Sequence, residues 1–375
     1  MSDTPTQDSG IVEVRKIVWR DVLPELMLGR CFGIAFQFRA MFLGWIGLTL
    51  TWFGWLILYR SLGEPALCPC SETALQALQQ GEKCHWSAAT LTLYVLDGVW
   101  FAIVWSFFGG LLTRSAAIQF TTWRRDRFSL THRFVVKKFR SYLGTAILPL
   151  LAVTATAAIV ALNGWITDCV ACWSEGAAWT LRIAFGWLTL LFGFLGSLFL
   201  VGTVFGFPLM IAAVSTEGTD TFDGVARGFH FLMRRPLRAL TDLVLSLIPG
   251  VIGGAIVIVF FRTMLFFTAS FLGIPLSGGE SIGALTILIP HPWLLLIPAL
   301  MVGYVASYFW TAATAIYLLL RKNLDNTPLD VVLEEEEDAT PAKKLPIIRT
   351  DTAGAPVMDG TSDQPGQQNG DAPTP

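Results

Sequence analysis

The sequence predicts an all-α protein: a polytopic transmembrane helical bundle of about six spans, with amphipathic connector helices on its cytoplasmic side. Three observations carry that prediction. The 375-residue chain is 53% hydrophobic and 14% charged, with a mean hydropathy of +0.58, too apolar for an ordinary soluble domain. Apolar runs of about 20 residues or more recur, and a helix of that length crosses a hydrocarbon core of about 30 Å. Residues 114–140 hold eight of the 26 Lys and Arg between two such runs, which is the positive-inside pattern. That pattern orients a membrane protein and implies no nucleic-acid partner.

The chain begins with a polar decapeptide that lacks the basic and apolar regions of a cleavable signal. The first span is therefore expected to act as its own insertion signal. Residues 11–39 mix apolar side chains with Arg15, Lys16, Arg20, Arg30 and Arg39. They read either as interfacial segments, apolar face in the headgroups and cations toward anionic lipid, or as a helix capping a cytoplasmic bundle. The membrane domain covers residues 40–322, between an N-terminal segment (1–39) and a tail (323–375).

Its first span is expected at residues 40–59. The polar segment 60–88 follows, with Cys68, Cys70, Cys84 and Lys83, and should face outside. A second span, 89–112, returns to the basic connector, and a third, 142–163, leaves it. Residues 164–181, with Cys169 and Cys172, read as an outer loop. No charge occurs from Ile183 to Val214, so a fourth span is expected to about Gly206, followed by a bend at Phe207-Pro208. The fifth and sixth spans are expected at 240–261 and 293–319, and residues 263–290 at the outer interface. This topology places 22 of the 26 cations on the cytoplasmic side and both termini inside, in a cytoplasmic membrane. Three helix pairs result, without a repeat at residue level. The tail after Asn323 is acidic at 334–338, then rich in Pro, Gly, Thr, Asp and Gln, a composition that predicts disorder.

Residues 221–235 form a connector helix by periodicity. Phe222, Val225, Ala226, Phe229, Leu232 and Met233 share one face, and Asp223, Arg227, His230 and Arg234 the other. Asp220 is positioned to cap it, Asp223 and Arg227 are an i,i+4 ion pair, and Pro236 closes it. The helix is expected to lie along the inner membrane surface. Asp223, Arg227 and His230 are candidates for acid–base work, although a salt-bridged surface helix has the same pattern.

Asp97 lies in the second span, where an ionisable group is costly and often functional. Arg182 or Arg262 is positioned to neutralise it. Five of the six cysteines fall outside (Cys68, Cys70, Cys84, Cys169 and Cys172) and are candidates for disulfides, with four thiolates and His85 as a zinc alternative. Cys169 and Cys172 are followed by Trp173 rather than His, which excludes a c-type haem site. No phosphate-binding loop, dinucleotide fingerprint, HExxH or GxSxG set is present, so no cofactor and no enzyme chemistry is implied. The two leading readings are a non-enzymatic organising or interaction component and a transporter or channel for a small solute.

Three stretches resemble a family of polytopic membrane proteins of planctomycete bacteria that has no assigned activity. They are residues 109–117 (GGLLTRSAA); residues 217–220 (EGTD) with Phe222, Asp223, Arg227, Phe229, Arg235 and Pro236; and residues 307–321 (SYFWTAATAIYLLLR). Gly228 stands where the family pattern has Ser, and the outer cysteines are not part of it. More distantly, the amphipathic connector ending in Arg-Pro is similar to the membrane domains fused to some glycerophosphodiester phosphodiesterases. The resemblance implies the architecture and assigns no catalytic residue.

Overall fold

A computed structural model describes residues 24–62, 88–271, 296–325, 327, 348–350 and 356–358. The chain divides into two compact units, Met1–Leu333 and Glu334–Pro375. In the first unit a 3-10 turn (Pro24–Leu26) leads into α1 (Met27–Ala35). There follow α2 (Phe38–Leu62), α3 (Ala88–Thr122), α4 (Phe128–Ala171), α5 (Glu175–Glu217), α6 (Thr221–Arg234), α7 (Pro236–Phe271) and α8 (Leu296–Asp325). Six of them, all but α1 and α6, are long and apolar enough to cross a membrane. The architecture is an all-α polytopic bundle.

The helices outrun the apolar segments that predicted them. α4 and α5 have 44 and 43 residues, about 65 Å each at 1.5 Å per residue, against a core of about 30 Å. α3 continues ten residues past the expected span, through Arg114 to Thr122, because Arg, Ser, Ala and Gln are adequate helix formers once the chain leaves lipid. The expected outer loop at 164–181 is instead a turn of three residues, 172–174, between α4 and α5. Ser174 caps α5, its Oγ accepting from the Ala177 N–H at 3.4 Å. α5 also runs through Pro208, which is buried, to Gly218. That glycine ends it in the left-handed region (φ 64°), its N–H donating to the Val214 carbonyl at 2.9 Å.

α8 is the central helix, packing against α1, α2, α3, α5, α6 and α7. Its half from Trp310 to Arg321 is buried. Close approach depends on glycines: a Cβ at Gly109 of α3 would lie 2.9 Å from the Trp310 ring, and one at Gly303 of α8 would lie 2.1 Å from the Met41 carbonyl. Trp105 stacks on Trp310 at 5.5 Å. α1 buries Met27, Leu28, Cys31, Ile34 and Ala35 in cores shared with α7 and α8.

α6 packs back against α5. A Cβ at Gly224 would meet Val214, one at Gly228 would meet Met210, and Phe229 sits over Gly202. Rising numbers in α6 meet falling numbers in α5, so the two form an antiparallel hairpin. Its buried stripe is Gly224, Gly228 and Phe231, whereas Phe222 is 75% exposed. Two glycines remove side-chain bulk from one face and let the two backbones approach there, while Val225, Phe229 and Leu232 beside that stripe are half-buried. Asp220 makes no capping bond; its carboxylate lies 3.6 Å from the Lys138 ammonium.

In the second unit, β1 (Ile348–Thr350) and β2 (Pro356–Met358) pair antiparallel, Ile348 opposite Met358. Strand pairing was not expected in the tail, most of which lies outside the described residues.

Candidate functional site

At the end of the bundle that carries the basic connector, buried polar groups form four linked nodes. The first is Asp126, the one acid in residues 114–140. Its carboxylate, fully buried, pairs with Arg39 and accepts from Ser115 (2.9 Å), Gln119 (3.2 Å) and Thr131 (3.0 Å). The α3–α4 turn is thereby tied to the start of α2. Trp123 in that turn takes φ 59°, with the Arg30 guanidinium 3.6 Å above its ring.

The second node is Ser215 of α5. Its hydroxyl bonds those of Thr113 (2.5 Å) and Tyr142 (2.9 Å), and its carbonyl accepts from Arg114 at 2.7 Å. Arg114 also lies 4.0 Å over the Phe134 ring. The third node is Glu217. It pairs with Arg227, accepts from the Tyr317 hydroxyl at 2.7 Å and faces Arg321 at 3.6 Å. The fourth joins the 3-10 turn to α7: Arg238 contacts Glu25 (2.5 Å) and Asp242 (3.3 Å).

The residues singled out in the sequence separate into different places. Asp223 and Arg227 meet at 3.2 Å and join the Glu217 node. His230 lies 3.4 Å from Arg234, away from the acids, so no Asp/Arg/His constellation is assembled. Asp97 is buried between α2 and α3. Its Oδ2 accepts from the Tyr59 hydroxyl at 3.0 Å, and its Oδ1 has no hydrogen-bond partner among the described residues. Among the described residues it forms no ion pair, and Arg182 contacts Asp168 instead, at 3.4 Å. Cys169 and Cys172 are exposed free thiols at the α4–α5 tip. Cys68, Cys70, Cys84 and His85 lie outside the described residues, and among the described ones no His/Cys/Asp/Glu group could hold a metal. Cys31 is a buried thiol whose pKa burial pushes up to about 12.

Asp126 and Ser215 escaped the sequence reading, and Glu217 and Arg321 entered it only within the resembling stretches. The available signal was an acid isolated among cations, and charges continuing an apolar helix without a break. The three stretches that carried the family resemblance converge here: Gly109 on Trp310, Thr113 on Ser215, and Glu217 on Tyr317 and Arg321.

Six apolar helices joined through such a polar end define a multi-pass integral membrane protein. Compared with models of known families, with curated proteins and with solved structures, the chain matches none.

Proposed function

We propose that the protein is a non-enzymatic membrane component that holds a partner in the bilayer, its basic end turned to the cytoplasm and to anionic lipid. One observation carries the reading: the most apolar stretch of α5 is only 6% buried within the chain. Ile183, Trp187, Leu190, Phe194, Val201 and Phe205 are exposed along it, at three-, four- and seven-residue spacings that place them on one helix face. The opposite side packs on α4, and the nodes at the basic end anchor the hairpin. An ordered apolar seam on an anchored arm suits a helix of another membrane protein. We further propose kinship with the planctomycete family, on the resemblance of residues 109–117, 217–236 and 307–321.

A photo-crosslinking residue in place of Leu190 or Phe194 tests this in native membranes. A discrete protein adduct is expected, and adducts to lipid alone would contradict the reading. Asp97 favours the transporter alternative, because a buried ionisable group within a membrane-spanning helix suits an ion path. Solute-driven proton flux in proteoliposomes, abolished by Asp97→Asn, would establish that alternative.

A further inference from the structure

A cleft of about 320 Å³ runs between the start of α1 and the middle of α7. Leu26, Leu28, Leu245, Ile248, Pro249 and Ile252 line it with Gly29, and Glu25 is the one charged lining residue. We propose that this cleft binds one phospholipid with a primary-ammonium headgroup, an acyl chain lying between the helices and the headgroup at Glu25 and Arg238.

The lining chooses the chain. Leu26, Ile248 and Ile252 are each more than half exposed on or beside a helix long and apolar enough to span the membrane, where hydrocarbon is the solvent. A Cβ built on Gly29 meets nothing within 4 Å among the described residues, so a larger side chain there has room to enter the cleft.

The end of the cleft chooses the headgroup. Arg238 faces two carboxylates, Glu25 at 2.5 Å and Asp242 at 3.3 Å. Glu25 and Arg238 both keep about a third of their side-chain surface exposed, while Asp242 is buried. A ligand therefore meets one anion and one cation side by side. An ammonium donating to Glu25 and a phosphate accepting from Arg238 match that pair. An anionic head without the ammonium leaves two acids opposing it, and a trimethylammonium has no proton to donate. The site is independent of the α5 seam.

The test is native mass spectrometry of the full-length detergent-solubilised chain, titrated separately with dioleoyl phosphatidylethanolamine, phosphatidylcholine and phosphatidylglycerol. One phosphatidylethanolamine should bind at least tenfold more tightly than either of the others. Gly29→Leu fills the cleft without a clash and should weaken it at least tenfold, with the melting temperature kept. Glu25→Gln should retain binding but lose the preference. Equal binding of the three lipids, tighter phosphatidylglycerol, or a preference surviving Glu25→Gln would overturn the headgroup assignment. Undiminished binding to Gly29→Leu would overturn the site.

Discussion

Asp126 closes more structure than any other single side chain at the basic end, since both its oxygens are occupied by donors from α2, α3 and α4. Removing one partner of a buried ion pair costs about 3–5 kcal/mol, so Asp126→Ala should lower thermal stability in detergent by about that amount. Asp168→Asn at the exposed Arg182 contact should cost less than about 1 kcal/mol. Glu25 supplies a pH dependence of its own. The hydrogen bond from Arg238, and next its own backbone N–H, hold its carboxyl below the ordinary value of 4.5. A depressed carboxyl stabilises the fold above its unfolded value and loses that contribution as pH falls through the folded one. Acidification below about 4.5 should therefore lower the amide-exchange protection of α1 relative to the intrinsic exchange rate at each pH, and Glu25→Gln should remove that loss. Asp97 was legible as a buried acid from its place in an apolar run. Its tyrosine partner was not, because the register of α2 on α3 is set by packing, Trp100 lying over Gly54.

Helix number and order followed from hydropathy, while helix ends and the seat of α6 did not. Apolar runs measure the part of a helix in lipid, and Arg114, Gln119 and Glu217 extend helices beyond it without altering that signal. For α6, periodicity found the helix and the half-buried Val225, Phe229 and Leu232, but not the buried stripe of Gly224 and Gly228 beside them, since glycine carries no hydrophobic signature. Gly228 has Met210 Cγ 2.4 Å and the Met210 backbone nitrogen 3.3 Å from a built Cβ. Gly228→Leu should consequently destabilise the α5–α6 hairpin by about 1–3 kcal/mol through overpacking, read as a lower melting temperature. Phe222→Ser, on the exposed side, should change it little.

At the basic end, buried Arg114, Asp126 and Arg321 are interlaced with the central core. Away from it, α4 and α5 continue as an apolar arm whose tip carries Trp165, Trp173 and Trp179, all exposed, as suits residues at a membrane interface. The orientation we propose from the cation bias of the sequence puts these two ends on opposite sides of the bilayer, and the six-span account depends on that separation. Single cysteines at Ser129 in the basic connector and at Cys172 on the tip, in an otherwise cysteine-free chain, test it through an impermeant maleimide on intact cells. The account predicts labelling at Cys172 and none at Ser129 until the cells are opened. Labelling of Ser129→Cys in intact cells, or of both positions alike, would contradict it.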